Sequence, residues 1–282
     1  MIRLVIRFSI FVLLSGCATH SGAPEAKPPA AVHTGYELER DIVYSPAGWP
    51  ETLLADVYRP KANGLQPGIL LIHGGGWEAP DRRGQMDSIA ERLAERGYVV
   101  MNATYRFAPQ YLYPAAVDDL REALKWLRQH AAEYGIRTDR VGVFGYSAGG
   151  HLAALLAVQN PRSSLRVQAA VIGGAPTDLR KYAGGKLVPQ FLGGTQTEKP
   201  ALYGKASPIT YVTPDDPPVF IYHGGSDTLV SPDHAQDFKV ALDKAGIKNE
   251  LYILRGRGHV TAFLTDRGAV SAALEFLDRN LR

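Results

Sequence analysis

Short apolar runs alternate with longer amphipathic stretches over most of the 282-residue chain. Continuous apolar runs predict strands buried on both faces, and apolar residues spaced three and four apart predict helices. The predicted strands cover residues 41–44, 52–58, 67–72, 98–103, 141–146, 167–172, 219–222 and 250–254. The predicted helices cover residues 86–96, 115–130, the stretch after residue 147, 232–245 and 270–281. This alternation indicates an α/β fold with a doubly wound, mostly parallel sheet and flanking helices.

The beginning of the chain lacks this alternation. Two positively charged residues, Arg3 and Arg7, come before a mostly apolar stretch at residues 8–14. This stretch is too short to span a bilayer. The single cysteine of the chain follows as Cys17. Residues 1–16 therefore resemble a bacterial lipoprotein signal peptide that is cleaved before this cysteine. An ordinary signal peptide with an unrelated cysteine is the alternative.

Lipidation of Cys17 would anchor the protein to a membrane without a transmembrane helix. Ala18, rather than an aspartate, follows the cysteine, which favours the outer membrane of a Gram-negative cell envelope. Residues 17–35 are rich in Ala, Pro, Ser and Gly and predict a lipid-anchored flexible tether. We expect residues 36–282 to form one folded domain that faces the periplasm or the cell surface.

Composition excludes several classes of function. Charged residues make up 21% of the chain and the net charge at pH 7 is +3. Because there is also no basic run, the sequence excludes a nucleic-acid-binding protein. A single cysteine excludes an internal disulfide and any cysteine-based metal cluster. The histidines are scattered without the spacing of metal ligands, so we expect neither a metal nor a cofactor.

A serine between glycines marks the candidate chemistry. Ser147 lies in Gly145-Tyr146-Ser147-Ala148-Gly149, between a predicted strand and an Ala- and Leu-rich helical stretch. This context is typical of a nucleophile elbow, a strained turn that leaves no room for side chains two residues away from the serine. The helix that follows points free N–H groups and its positive dipole end at the serine oxygen. An ordinary glycine-rich turn before a helix is the alternative.

A serine hydroxyl needs an imidazole to take its proton and a carboxylate to orient that imidazole. Asp227 and His259 each follow a predicted strand, at the strand ends where open α/β sheets place their functional groups. The order Ser147, Asp227, His259 matches the α/β-hydrolase arrangement. Other aspartates precede the strand or fall in the next helix: Asp215, Asp216, Asp233 and Asp237. Two other histidines are interpreted as structural, namely His151 and His223.

A glycine-rich loop follows the predicted strand 67–72 with the sequence His73-Gly74-Gly75-Gly76-Trp77. Glycines let backbone N–H groups approach a reacting carbonyl, so this loop can complete an oxyanion hole beside the N–H of Ala148. A phosphate-binding loop is excluded because no Gly-Lys-Ser/Thr follows. We interpret His73 as a clamp on the loop.

From about residue 36 onwards the chain resembles the serine esterases of the α/β-hydrolase superfamily. The matching stretches are His73–Trp77, Tyr105-Arg106, Ala108-Pro109, Tyr113–Ala116, Gly145–Gly150, Ser207–Ile209, His223–Asp227 and Gly258-His259. The pattern is similar to the small-cap bacterial feruloyl/acetyl-xylan esterase type and is related to the hormone-sensitive-lipase group and to arylformamidases. It departs from the hormone-sensitive-lipase group at Tyr146, where an aspartate is usual, and in lacking a helical N-terminal cap.

The resemblance implies roles for the matching residues. Ser147 would be the nucleophile, His259 the general base and then acid, and Asp227 the orienting carboxylate. Backbone N–H groups of three residues would form the oxyanion hole: Gly75, Gly76 and Ala148. Arg106 would be part of a structural ion pair.

The implied function is hydrolysis of a carboxylic ester, with a short-chain or aromatic acyl group, through an acyl-enzyme. The substrate would be a small molecule or an ester linked to a polysaccharide. An arylformamidase or amidase with the same triad and a catalytically silent surface-binding lipoprotein are the alternatives. Aromatic residues of the segment 173–217 would either stack on the substrate or pack the segment onto the sheet: Tyr182, Phe191, Tyr203 and Tyr211.

Overall fold

The computed structural model describes residues 18–22, 33–159 and 162–282. Its strands are β1 (Ala18–Ser21), β2 (Tyr36–Val43), β3 (Leu54–Pro60), β4 (Gln66–Ile72), β5 (Val99–Ala103), β6 (Ile136–Tyr146), β7 (Ala169–Gly173), β8 (Val219–Gly224) and β9 (Asn249–Leu254). Its helices are α1 (Asp87–Glu95), α2 (Ala115–Gln129), α3 (Ala131–Tyr134), α4 (Ala148–Gln159), α5 (Leu187–Leu192), α6 (Pro200–Lys205), α7 (Asp233–Lys244), α8 (His259–Leu264) and α9 (Arg267–Leu281). Short 3₁₀ helices lie at Arg83–Met86, Leu179–Lys181 and Pro208–Tyr211.

The strands join in one sheet with the order β1-β9-β8-β7-β6-β4-β5-β3-β2. The central strands from β9 to β5 are all parallel to their neighbours. Antiparallel pairing is confined to the two edges of the described sheet, where β1 joins β9 and β3 and β2 extend from β5. The predicted α/β fold with a mostly parallel sheet is confirmed.

Helices cover both faces of the sheet because the central strands are apolar on both faces. In β4, Leu70 and Ile72 enter one core, and Ile69 and Leu71 enter the other. Helices α2, α4 and α7 contribute to the first core, and α1 and α9 contribute to the second. The continuous apolar runs of the sequence therefore predicted doubly buried strands correctly.

The segment 173–217, predicted to be irregular, contains short helices. Helices α5 and α6 and two of the 3₁₀ helices lie within it, between β7 and β8. We refer to it as the cap segment. Gly and Pro interrupt its apolar periodicity so often that no helix of ordinary length is visible in the sequence.

Strand β1 lies inside the predicted tether. Ala18 pairs with Leu254 and Ser21 with Leu251, and His20 Nε2 lies 3.0 Å from Glu250 Oε2. The prediction of a featureless tether is therefore corrected for these four residues, because the free backbone edge of β9 gives them hydrogen-bonding partners. Cys17, the predicted signal peptide and residues 23–32 lie outside the described residues. None of the described helices is long and apolar enough to cross a membrane.

Candidate active site

Ser147 occupies a strained turn between β6 and α4. Its φ angle is 55°, its N–H donates to the Gly173 carbonyl at 2.8 Å, and its carbonyl accepts from the His151 N–H at 2.9 Å. A Cβ atom on Gly145 would collide with the Gly149 carbonyl, and one on Gly149 with the carbonyls of Ile72 and His73. The turn thus requires both glycines, as a nucleophile elbow does.

Three predicted side chains meet at this turn. Asp227 follows β8, His259 is the first residue of α8, and both lie at the carboxyl edge of the sheet. His259 Nε2 lies 2.8 Å from Ser147 Oγ, and His259 Nδ1 lies 2.6 Å from Asp227 Oδ2. The structure therefore brings the predicted nucleophile, base and carboxylate into one hydrogen-bonded chain.

Asp227 is held as a carboxylate by its surroundings. Burial alone would raise its pKa, but hydrogen bonds from His223, His259 and the Val230 backbone outweigh burial and hold the pKa well below the usual range. Its Oδ1 accepts from the N–H groups of Leu229 and Val230, both at 2.9 Å. An ionised Asp227 can steady the positive charge that His259 acquires when it takes a proton.

His223 is a neighbour of Asp227 that sequence reasoning did not assign to the site. Its Nε2 donates to the Val230 carbonyl at 2.8 Å and lies 3.4 Å from Asp227 Oδ2. The sequence signal was present, since His223 lies four residues before Asp227 at the end of a strand. The prediction that it is a structural residue holds in the sense that it orders the loop around Asp227.

The competing acidic residues are engaged elsewhere. Each has a partner outside the triad: Asp215 with Arg162, Asp216 with Thr213, and Asp233 and Asp237 with Lys181. The distinction drawn from strand ends in the sequence therefore agrees with the structure.

Two buried histidines hold the loops around Ser147. His73 stacks on Tyr105 with ring centroids 4.7 Å apart, and His151 links the Trp77 indole N–H, at 3.3 Å, to the Ala206 carbonyl, at 2.7 Å. Burial lowers the pKa of each histidine to about 4. Both are therefore neutral near pH 7 and have a structural role in holding the loops, as predicted for His73 and His151.

The glycine-rich loop lies against the nucleophile. The φ angles of Gly75, Gly76 and Trp77 are 114°, 65° and 61°, so the loop runs through left-handed backbone that glycine adopts without cost. A Cβ on Gly74 would lie 3.2 Å from Ser147 Cβ, which shows how closely the loop passes. Gly75 and Gly76 line the cleft around Ser147, and Ala148 begins α4 directly after it. The structure therefore places all three predicted oxyanion-hole residues beside the serine.

Two hollows meet at Ser147. The first, the apolar pocket, has a volume of about 420 Å³ and is lined by Gly76, Trp77, Ala148, Pro176, Tyr182, Leu187, Val188 and Val230, among others. The second, the His259-side cleft, has a volume of about 550 Å³ and is lined by Gly75, Gly76, Arg82, Gln85, Tyr146, His259, Val260 and Phe263, among others. An ester bound at Ser147 can therefore place one half in each hollow.

The aromatic residues of the cap segment divide between the two predicted roles. Tyr182 lines the apolar pocket. Phe191 and Tyr203 are buried in the core, where Phe191 stacks on Trp77 with centroids 4.5 Å apart. The Tyr211 hydroxyl donates to the Lys205 carbonyl at 2.8 Å. Packing therefore accounts for Phe191, Tyr203 and Tyr211, whereas Tyr182 both stacks on His234 and lines the pocket, where it can contact a substrate.

Residues 55–242 match the family described as BD-FAE. The chain belongs to the BD-FAE family. The matched range of this BD-FAE chain includes Ser147 and Asp227 and ends before His259. The triad geometry around His259 is therefore an observation on this structure that does not depend on the family match.

Curated relatives of the BD-FAE chain carry esterase names. The probable carboxylic ester hydrolase LipM of Mycobacterium tuberculosis is 31% identical over 242 residues, which cover 77% of this chain and 56% of LipM. Esterase LipQ of the same organism is 31% identical over 285 residues, which cover 93% of this chain and 68% of LipQ. The chain thus spans just over half of LipM and about two thirds of LipQ. The predicted membership of the α/β-hydrolase esterases is confirmed.

A solved structure also resembles the BD-FAE chain. The thermophilic esterase Est2 of Thermogutta terrifontis, in its butyrate-bound form, is 27% identical and superposes with a TM-score of 0.72. The likeness covers 87% of this chain and 94% of Est2. The common fold thus extends over nearly the whole of an esterase of similar architecture.

Proposed function

We propose that this protein hydrolyses carboxylic esters, with Ser147 as nucleophile, His259 as general base and acid, and Asp227 as the carboxylate that orients His259. The hydrogen-bonded chain from Ser147 Oγ through the His259 ring to Asp227 Oδ2, with distances of 2.8 and 2.6 Å, carries the proposal. The ester-hydrolase names of LipM and LipQ support the same reaction.

The reaction follows from the geometry in two steps. Ser147 Oγ attacks the ester carbonyl while its proton passes to His259 Nε2, and the carbonyl oxygen becomes an oxyanion at the N–H groups of Gly75, Gly76 and Ala148. The C–O bond to the alcohol then breaks, and the alcohol leaves with the proton from His259. Water, deprotonated by His259, cleaves the acyl-serine and restores the hydroxyl. Each oxyanion donor lowers the barrier by about 3 kcal/mol.

The two hollows assign the two halves of the ester. His259 lines the cleft on one side of Ser147, and the leaving alcohol must lie next to the group that protonates it. The acyl group then occupies the apolar pocket beside Ala148, where Tyr182 and Leu187 offer an apolar wall. The volume of about 420 Å³ suits a short-chain or aromatic acyl group. The butyrate-bound form of Est2 supports a short acyl group.

Labelling and turnover together test the proposal. The soluble chain that begins after Cys17 is treated with a fluorophosphonate, and hydrolysis of p-nitrophenyl esters of increasing chain length is followed. We expect labelling at Ser147 and turnover that is highest for short acyl groups. Labelling with turnover of N-formyl or N-acetyl amides in place of esters would reassign the protein as an amidase. Absence of labelling would contradict an assembled triad and favour a silent binding protein.

Substitutions give the quantitative form of this test. Ser147→Ala should lower kcat by about 10⁶-fold and Asp227→Asn by about 10⁴-fold, with substrate binding largely kept. Asp215→Asn is the matched control, because Asp215 pairs with Arg162 outside the triad and should leave kcat unchanged. A Ser147→Ala variant with near wild-type turnover would refute the assignment.

We further propose that the protein is lipid-anchored through Cys17 in the outer membrane of the cell envelope. The lipoprotein-like residues 1–16 and the position of the single cysteine support this. Fractionation of cells that express wild type or Cys17→Ala, with incorporation of labelled palmitate, tests it. We expect labelled wild type in the outer membrane and an unlabelled variant outside it. Unchanged membrane association of the variant would contradict the anchor.

A further inference from the structure

An arginine that makes no ion pair with any described residue lies in the His259-side cleft. Arg82 lines this cleft, and its side chain crosses the oxyanion loop, where a Cβ on Gly75 would lie 2.6 Å from Arg82 Cδ and 2.7 Å from its Nε. Within the described residues, Arg82 Nε is buried without a hydrogen-bonding partner, and the guanidinium makes no ion pair. The site therefore holds a positive charge that the fold itself does not neutralise.

The neighbouring arginine shows what a structural role looks like in this region. Arg83 binds three carboxylates, those of Asp41, Asp56 and Asp81, at distances of 2.7 to 3.0 Å. Among the described residues, none of these three carboxylates pairs with Arg82, which directly precedes the 3₁₀ helix and lines the cleft at Ser147. Its place in the cleft is thus not explained by the local ion pairs.

The other charged residues that line the cleft do not balance the positive charge of Arg82. Glu78 also lines the cleft, but its Oε1 lies 3.9 Å from Lys186 Nζ, which offsets its charge. Beyond Gln85 the cleft continues into an outer hollow of about 590 Å³, which is lined by Arg92, Arg267 and Asp266. Burial raises the pKa of Asp266 to about 7, which reduces its negative charge near neutral pH. The field along this side of Ser147 is therefore positive.

We propose that the His259-side cleft binds esters whose alcohol portion carries a carboxylate, and that Arg82 is the residue that selects for this group. The inference rests on the proposed ester hydrolysis, because the alcohol must leave next to His259. A guanidinium matches a carboxylate with two parallel hydrogen bonds, and the half-buried position of Arg82 strengthens them relative to water. Such a pair orients the alcohol oxygen towards His259 Nε2 without taking part in the chemistry.

The test compares two esters that differ in charge alone at the far end of the leaving group. These are 4-acetoxybenzoate and 4-acetoxybenzamide, and the ratio of their kcat/KM values is measured for each variant. We expect Arg82→Gln to lower this anionic-to-neutral ratio about tenfold relative to wild type, which is the scale of one charge-assisted pair in a partly exposed site. Arg82→Lys should keep only part of the ratio, because it retains the charge and loses the paired hydrogen bonds, and added salt should lower the ratio in wild type.

Arg162→Gln is the matched control. Arg162 is an exposed cation that pairs with Asp215 in a separate hollow, so its removal should leave the ratio unchanged. If Arg82→Gln slows both esters equally, the ratio is unchanged. Arg82 would then only pack against Gly75, and the inference would be overturned. An equal drop in Arg162→Gln would also overturn it, since the effect would then come from the net charge of the protein. Failure of the proposed function is distinct, because wild type would hydrolyse neither ester.

Discussion

Tyr146 joins the nucleophile to its base. It is the last residue of β6, directly before Ser147, and its hydroxyl donates to the backbone carbonyl of His259 at 2.7 Å. Its ring also packs against Phe263 on α8, with centroids 4.8 Å apart. A single side chain thus fixes the start of α8 relative to the elbow. This gives a physical reason for a tyrosine at the position where the hormone-sensitive-lipase group usually has aspartate.

Removal of the Tyr146 hydroxyl should make the position of His259 less well defined. We expect Tyr146→Phe to lower kcat about tenfold with little change in KM, because a small misplacement of a catalytic group costs rate more than binding. Tyr44→Phe is the matched control, since the buried Tyr44 hydroxyl donates to the Thr104 carbonyl and makes no hydrogen bond to a member of the triad within the described residues. Both variants should lose about 1–2 kcal/mol of stability. Equal kcat in Tyr146→Phe and wild type would show that α8 is held by other contacts.

At the level of elements, β1 closes an otherwise open sheet edge. Buried Glu250 of β9 lies between His20 of β1, at 3.0 Å, and Arg279 of α9, at 2.7 Å. The His20 ring also packs on Tyr252, with centroids 5.3 Å apart. The first residues after Cys17 therefore belong to the folded domain through both backbone and side-chain contacts.

We expect a chain that begins at residue 23 to be less stable than one that begins at Ala18. Loss of β1 exposes the backbone of β9 and should cost about 1–2 kcal/mol, or roughly 3–6 °C in Tm for a domain of this size. His20→Ala in the longer chain keeps the backbone pairing and should lose about half of this. Scanning calorimetry with light scattering measures both effects, and an identical Tm for the two chains would contradict a docked β1.

The sequence predicts the helices and strands that carry a clear apolar pattern. It does not predict the elements that form mainly because a neighbouring element offers them a partner. The central strands and the long helices were visible because β4 and α2, for example, carry unbroken apolar patterns. Strand β1 has no such pattern and exists because β9 offers it an edge. Helix α8 begins at His259 after a glycine-rich turn and buries one residue, Ala262, so its sequence carries little periodicity.

The site divides in the same way. Ser147, Asp227 and His259 could be predicted because each follows a strand of a parallel sheet, whose carboxyl ends meet. The contacts of His223 and Arg82 were not predicted, although their partners are close in the sequence, because they depend on the path that each loop takes. Spacing in the sequence does not record which arginine of a pair faces a cleft.

At the scale of the whole molecule, one buried carboxyl should make a distinct contribution to the pH dependence of stability between pH 4 and 7. Asp266 precedes α9, is 8% exposed, and its Oδ2 has no hydrogen-bonding partner within the described residues. Burial raises its pKa to about 7, and Arg92 opposes this only in part. An unfolded Asp loses its proton near pH 4, so between pH 4 and 7 the folded state binds more protons than the unfolded state.

The contribution of Asp266 to the free energy of unfolding should therefore fall as pH rises through this window and level off above pH 7. We expect Asp266→Asn to gain stability relative to wild type by up to about 1.4 kcal/mol per pH unit from pH 4 to 7. Denaturant unfolding at graded pH measures this, with exposed Glu275→Gln on the same helix as control. A difference between Asp266→Asn and wild type that does not vary with pH would refute the raised pKa.

The antiparallel register of β1 also has a directional consequence. Because Ala18 lies opposite Leu254, the chain enters the sheet at the carboxyl end of β9, the same end from which the loops of Asp227 and His259 emerge. If Cys17 carries the proposed lipid, its attachment directly before Ala18 would bring the membrane to this end of the sheet, and substrates would then reach Ser147 from the space between the domain and the bilayer.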